Sequence, residues 1–149
     1  MKMLDKILMA VDIGDLENES LIKTGASLAK TFNSRITLVN VIPNNYEDLE
    51  VHDYLLKTSR ETVVKIREKL KSRGVGRIRT ITLEGSAFDQ IIQVAETEEV
   101  NVILMGTGYD KKSESHPLGI TTEKVIRKTS VPVWAVKAGS PSEIKNITC

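Results

Sequence analysis

The sequence predicts an α/β fold: a five-stranded, mainly parallel open sheet with helices on both faces. Three observations lead there. Five apolar runs of strand length recur along the chain. Four stretches between them carry apolar residues at helical spacing. The two kinds alternate from end to end, the pattern of parallel strands joined by right-handed crossovers.

The first run, Lys6-Ile7-Leu8-Met9-Ala10-Val11-Asp12, reads as a buried strand ending in the polar turn Asp12-Ile13-Gly14-Asp15. Leu21, Gly25, Leu28 and Phe32, spaced 4, 3 and 4, mark one face of a helix. Glu17 and Glu19 near its start and Lys30 near its end suit the helix dipole. A second strand spans 35–42 and stops at Pro43. A long helix within 46–73 follows, its inner face marked by Val51, Leu55, Thr62, Ile66 and Leu70, with Gly74 as a C-terminal cap. The third strand, 77–83, carries Arg77 and Arg79, and charge on a strand favours a sheet edge. Gly85-Ser86 opens the next helix, with Ser86 and Asp89 at capping-box spacing and Phe88, Ile91, Ile92 and Ala95 facing inward. The fourth strand is 100–106, followed by a polar loop over 107–117. A last helix, 119–129, turns Thr122, Val125, Ile126 and Thr129 inward, and a fifth strand, 132–137, closes the fold. The domain is expected over 1–138, with 139–149 a loose tail.

Composition narrows the function. Of 149 residues, 40% are hydrophobic and 28% charged, the balance of a folded globule rather than a disordered chain. Lys plus Arg total 21 against 20 for Asp plus Glu, so no basic excess argues for nucleic acid. The longest apolar runs, such as 102–105, fall far short of the ~18–20 residues that span a bilayer. The N-terminus lacks the long apolar core of a signal peptide. The single cysteine, Cys149, forms no internal disulfide or Cys-rich zinc site, and a reducing cytoplasm is the expected compartment. His52 and His116 stand apart, so no metal site is expected.

In open parallel sheets ligands bind beyond the carboxyl ends of the strands, where strand order reverses. Two places qualify: the turn after the first strand and the loop after the fourth. Asp12 at the first could accept hydrogen bonds from a ribose hydroxyl or a base amine, or could simply organise its own turn. At the second, Gly106 and Gly108 let backbone N–H groups approach a phosphate, and the start of the last helix at Gly119 offers unpaired donors. Lys111 and Lys112 add charge there, and Thr121 and Thr122 add hydroxyls. The other reading of this stretch is a surface loop whose glycines serve only strand exit and helix entry.

Taken together, Lys6-Ile-Leu-Met-Ala-Val-Asp12, Thr37-Leu-Val-Asn-Val41, Ile103-Leu-Met-Gly-Thr107, Leu118-Gly119, Glu123-Lys-Val-Ile-Arg127 and Val131-Pro-Val-Trp-Ala-Val-Lys137 resemble, in order, the universal stress protein family. The resemblance covers about 5–138. It implies strand order 3-2-1-4-5, the adenine nucleotide alpha hydrolase-like arrangement. It also implies a homodimer through the fifth strand at Val131, Val133, Trp134 and Val136. ATP-binding members carry Gly, two residues, Gly, nine residues, Gly, then Ser or Thr. Here Gly106 and Gly119 match, Tyr109 stands at the second glycine, and Ile120 replaces the hydroxyl residue. By analogy Ala10, Val11, Asp12 and Val41 line the adenosine end. Met105, Gly106, Gly108, Tyr109, Gly119, Ile120, Thr121 and Thr122 belong to the glycine-motif side of the site. A tyrosine fills space a phosphate would use and resists the positive φ that glycine accepts. Losing the hydroxyl at Ile120 costs ~0.5–1.5 kcal/mol.

The expectation is a cytoplasmic, homodimeric adenine-nucleotide-binding module, taking ATP with Mg, without fast turnover and more a binding protein than an enzyme. Two alternatives stand: a nucleotide-independent homodimeric scaffold whose phosphate site Tyr109 and Ile120 have closed, and a slow ATPase.

Overall fold

The computed structural model describes residues 4–44, 47–107 and 118–137. Five strands form a single sheet: β1 (Lys6–Ala10), β2 (Arg35–Ile42), β3 (Ile78–Glu84), β4 (Val102–Gly106) and β5 (Val133–Val136). Their order is β3-β2-β1-β4-β5, and every neighbouring pair is parallel. The helices are α1 (Glu19–Phe32), α2 (Leu49–Ser72), α3 (Ala87–Thr97) and α4 (Ile120–Lys128). Both the fold class and the strand order match the sequence expectation.

The alternation of side chains along each strand divides the core in two. Ile7, Met9, Ile36, Leu38, Val102 and Leu104 face α1 and α2, packing on Leu21, Ile22, Val63, Ile66 and Leu70. Leu8, Ala10, Val39, Ile103 and Met105 face the other way, onto Ile91, Ala95 and Val125. Burial on both faces explains why β1, β2 and β4 read as continuous apolar runs. Asn18 caps α1 by accepting from Leu21 N at 3.2 Å, and Asp48 caps α2 by accepting from Glu50 N at 2.9 Å.

Several local expectations differ from the structure. β1 stops at Ala10, and a 3-10 helix over Ile13–Glu17 occupies what reads as a simple turn. Phe32, Val51 and Ile126 are 37%, 40% and 41% exposed: Phe32 is the last residue of α1, Val51 sits in the first turn of α2, and Ile126 flanks the buried Thr122 and Val125 of α4. Ser86 is the N-cap of α3, yet its side chain makes no capping bond, and the Gln90 amide donates to Glu84 O beside it. β3 is one edge of the sheet, with Arg79 exposed and tied to Glu98 at 2.5 Å. The 139–149 tail lies outside the described residues.

Candidate functional site

Chain order in the sheet runs outward from β1 through β2 to β3 on one side, then resumes at β4 on the other. Loops therefore diverge beyond the carboxyl ends of β1 and β4, and a cleft of about 600 Å3 opens there. Ala10, Val11, Val41 and Met105 contribute to its walls from the strand ends. Asp12 and Gly106 stand at the exits of β1 and β4, and Gly119, Ile120, Thr121 and Thr122 border it from the start of α4. Gly108 and Tyr109, together with Lys111, Lys112 and His116, lie outside the described residues.

Asp12 is exposed and begins the 3-10 helix. Its carboxylate accepts from Asp15 N at 3.2 Å while Asp15 returns the favour, accepting from Asp12 N at 3.0 Å. This reciprocal capping fixes the turn, so Asp12 organises its own loop and also faces the cleft. Asp15 is 7% exposed and accepts from Asn18 Nδ2 at 3.4 Å. Burial, with the Asp12 charge adding to it, pushes the Asp15 carboxyl up from 3.8 to about 6. Gly106 is required by the same cluster. A Cβ there would stand 2.9 Å from Asn18 Nδ2 and 3.1 Å from Asp15 Oδ1.

The β2 end supplies a peptide edge. Val39 accepts from Val11 N on the β1 side, whereas Ile42 accepts from Gly85 N on the β3 side. In a parallel strand, residues two apart face the same neighbour, so the Val41 N–H and C=O point toward β1. Pairing of β1 ends at Ala10, and among the described residues neither Val41 group has a backbone partner. One donor and one acceptor therefore sit side by side at a residue bordering the cleft.

Across from it, α4 begins at Gly119, whose φ of 87° is one that L side chains rarely adopt. A Cβ at this position would also meet the Thr107 carbonyl oxygen at 3.1 Å. Gly119 brings no side-chain cap, and the first backbone bond of the helix runs from Glu123 N to Gly119 O. The amides of the first turn precede that bond and form an anion-accepting end. Thr122 is buried with its hydroxyl donating to Gly106 O at 3.0 Å, which ties the helix start to the β4 exit. Ile120 is 57% exposed.

Sequence reading missed Asp15, Asn40 and Ser59, all of which line the cleft. Asp15 had a legible signal, since Asp12 and Asp15 stand at the three-residue spacing of a capping box. Asn40 carried one too, being a polar residue inside the apolar run of β2. Ser59 had none; the length of α2 and its path over the strand ends place it. Among the described residues no group of three or more His, Cys, Asp or Glu side chains could hold a metal ion. No described helix is long and apolar enough to cross a membrane.

A parallel sheet of this order with a cleft at its reversal point defines the doubly wound α/β class. The model of the universal stress protein family matches residues 3–137, and the chain belongs to that family. It is 27% identical over 140 residues to the universal stress protein MJ0531 of Methanocaldococcus jannaschii, covering 89% of this chain and 81% of that one. The solved structure of MJ0577 superimposes with a TM-score of 0.80 at 26% identity, over 93% of this chain and 99% of that one. Two further structures share the fold at a TM-score of 0.70. One is a universal stress protein in complex with cAMP, at 12% identity over 91% of this chain and 98% of that one. The other, from Archaeoglobus fulgidus in complex with dAMP, is 19% identical over 89% of this chain and 97% of that one.

Proposed function

We propose that the cleft binds an adenine nucleotide, ATP with Mg in the fullest form, and holds it without fast turnover. The observation that carries this reading is the open Val41 edge. Adenine presents an acceptor, N1, beside a donor, the N6 amine, and the Val41 N–H and C=O offer the complementary pair. Asp12 at the β1 exit accepts from a ribose hydroxyl. The first-turn amides of α4, opened by Gly119, receive phosphate oxygens. Fold relatives held in complex with cAMP and dAMP support an adenine ligand. Mg would enter on the phosphates, because the described residues include no cluster to hold it alone.

The module works as a homodimer in this reading, paired along β5. That strand is a sheet edge, with Trp134 39% exposed and Val131 and Val133 half-buried. Val136 is 4% exposed, so it would join through its backbone and not its side chain. One observation favours the nucleotide-independent scaffold instead: Ile120 puts an exposed apolar side chain at the end meant for phosphate.

Isothermal titration of nucleotide-stripped protein with adenosine, AMP and Mg-ATP separates these readings, with inosine as control. Inosine carries N1–H and O6 and so reverses the donor and acceptor. The nucleotide reading expects saturable binding near one site per chain and a preference for adenosine over inosine. No heat at high protein concentration, with an unchanged melting temperature, would leave the scaffold.

A further inference from the structure

Asn40 is a polar side chain inside the apolar run of β2, and its surroundings give it a role. It is 2% exposed, on the β2 face that packs against α2. Its Nδ2 donates to the Val11 carbonyl at 2.8 Å. That carbonyl is where the β1–β2 ladder would have continued. In register, Ala10 pairs with Val39, so the next rung would run from Val41 N to Val11 O. The Asn40 amide takes the acceptor instead. The ladder ends one rung early and the Val41 N–H is left toward the cleft. The side chain carries a cost for this, because its own Oδ1 is buried without a hydrogen-bond partner among the described residues. A group kept at a loss to stability, beside a ligand cleft, is the signature of a functional position.

We propose that Asn40 is a positioning residue that keeps the Val41 peptide edge open to a purine presenting adjacent acceptor and donor groups. The proposal rests on the nucleotide reading and names the residue that creates its base-recognising edge. Asn40→Leu keeps the side-chain shape but gives Val11 O no amide. The Val41 N–H then closes onto it and the ladder gains its missing rung. Adenosine affinity falls about tenfold, the equivalent of one hydrogen bond, and the preference over inosine shrinks with it. The melting temperature stays level or rises, since an orphaned acceptor leaves the core. A residue of purely structural role would instead lower it.

The test pairs titration with amide hydrogen exchange at Val41. In the unliganded wild-type protein this amide exchanges readily, and adenosine protects it. In Asn40→Leu it is protected without ligand by at least about tenfold. Asn40→Ala, which also frees Val11 O, repeats the experiment should the leucine variant misfold. A Val41 amide already protected in the unliganded wild type overturns the proposal, as does a variant that binds adenosine like the wild type. If the wild type binds no adenosine, the nucleotide reading fails, while the exchange at Val41 still decides whether Asn40 holds the edge open.

Discussion

Replacing Asp15 by asparagine isolates a pH dependence of stability whose sign and size follow from the structure. The Asp15 carboxyl titrates near 3.8 in the unfolded chain and about 6 in the folded one, raised first by burial and second by Asp12. Between those values the folded chain binds the proton more tightly than the unfolded chain. Its contribution is therefore most favourable at low pH and is lost as pH rises from about 4 to about 6. A difference of roughly 2 pH units corresponds to about 3 kcal/mol well above pH 6, net of the bonds the carboxylate accepts from Asp12 N and Asn18 Nδ2. Asparagine mimics the protonated form and does not titrate. Its amide faces Asn18 Nδ2 and adds a constant offset, so the information lies in the slope. Urea unfolding of both proteins at pH 4.5, 5.5, 6.5 and 7.5 gives the stability difference, from which the carboxylates remote from Asp15 cancel and the Asp12–Asp15 pair remains. The wild type should lose about 2 kcal/mol relative to Asp15→Asn between pH 4.5 and 7.5, the first third of the full effect having gone below that range. A difference flat to within ~0.5 kcal/mol would show that Asp15 is not buried as a strained carboxyl.

Other substitutions probe the remaining supports of the cleft. Gly106→Ala forces a methyl to 2.9 Å from Asn18 Nδ2 and should cost about 1–3 kcal/mol in a thermal melt, with the Asn18 cap disturbed. Gly119→Ala meets both the positive φ of 87° and the Thr107 carbonyl; we expect a loss of about 1–3 kcal/mol and weaker binding of Mg-ATP than of adenosine, read by titration. Asp12→Ala removes one half of the reciprocal cap, about 1 kcal/mol, and should abolish the thermal shift produced by AMP. Leu104→Ala, in the fully buried centre of β4, should cost about 2–5 kcal/mol without altering which nucleoside binds.

How far the sequence revealed this molecule depended on what each feature rests upon. Strands buried on both faces announced themselves: β2 has the bounds expected from its apolar run and β4 lies within its own, as does the half-exposed edge strand β5. Strand order did not follow from periodicity and came from the family resemblance, because pairing is a long-range property. The ends and flanks of helices were misread at Phe32, Val51 and Ile126, since how far the core reaches along a stripe is decided by what packs beside it. Of the site, Asp12, Gly106 and Gly119 were legible from their places at element ends. The open Val41 edge and the bond Asn40 makes to Val11 were not, because they depend on where one ladder stops relative to another. The 3-10 helix was hidden for a similar reason: five residues carry too little period to distinguish a turn from a helix.

The central claim is that the Val41 edge reads adenine while the start of α4 receives phosphate. A crystal structure of the protein grown with excess Mg-ATP tests it most directly. The account predicts the adenine N1 and N6 within hydrogen-bond distance of Val41 N and O, a ribose hydroxyl on Asp12, and phosphate oxygens against the amides after Gly119. An empty cleft at saturating nucleotide, or a base bound away from Val41, would contradict it.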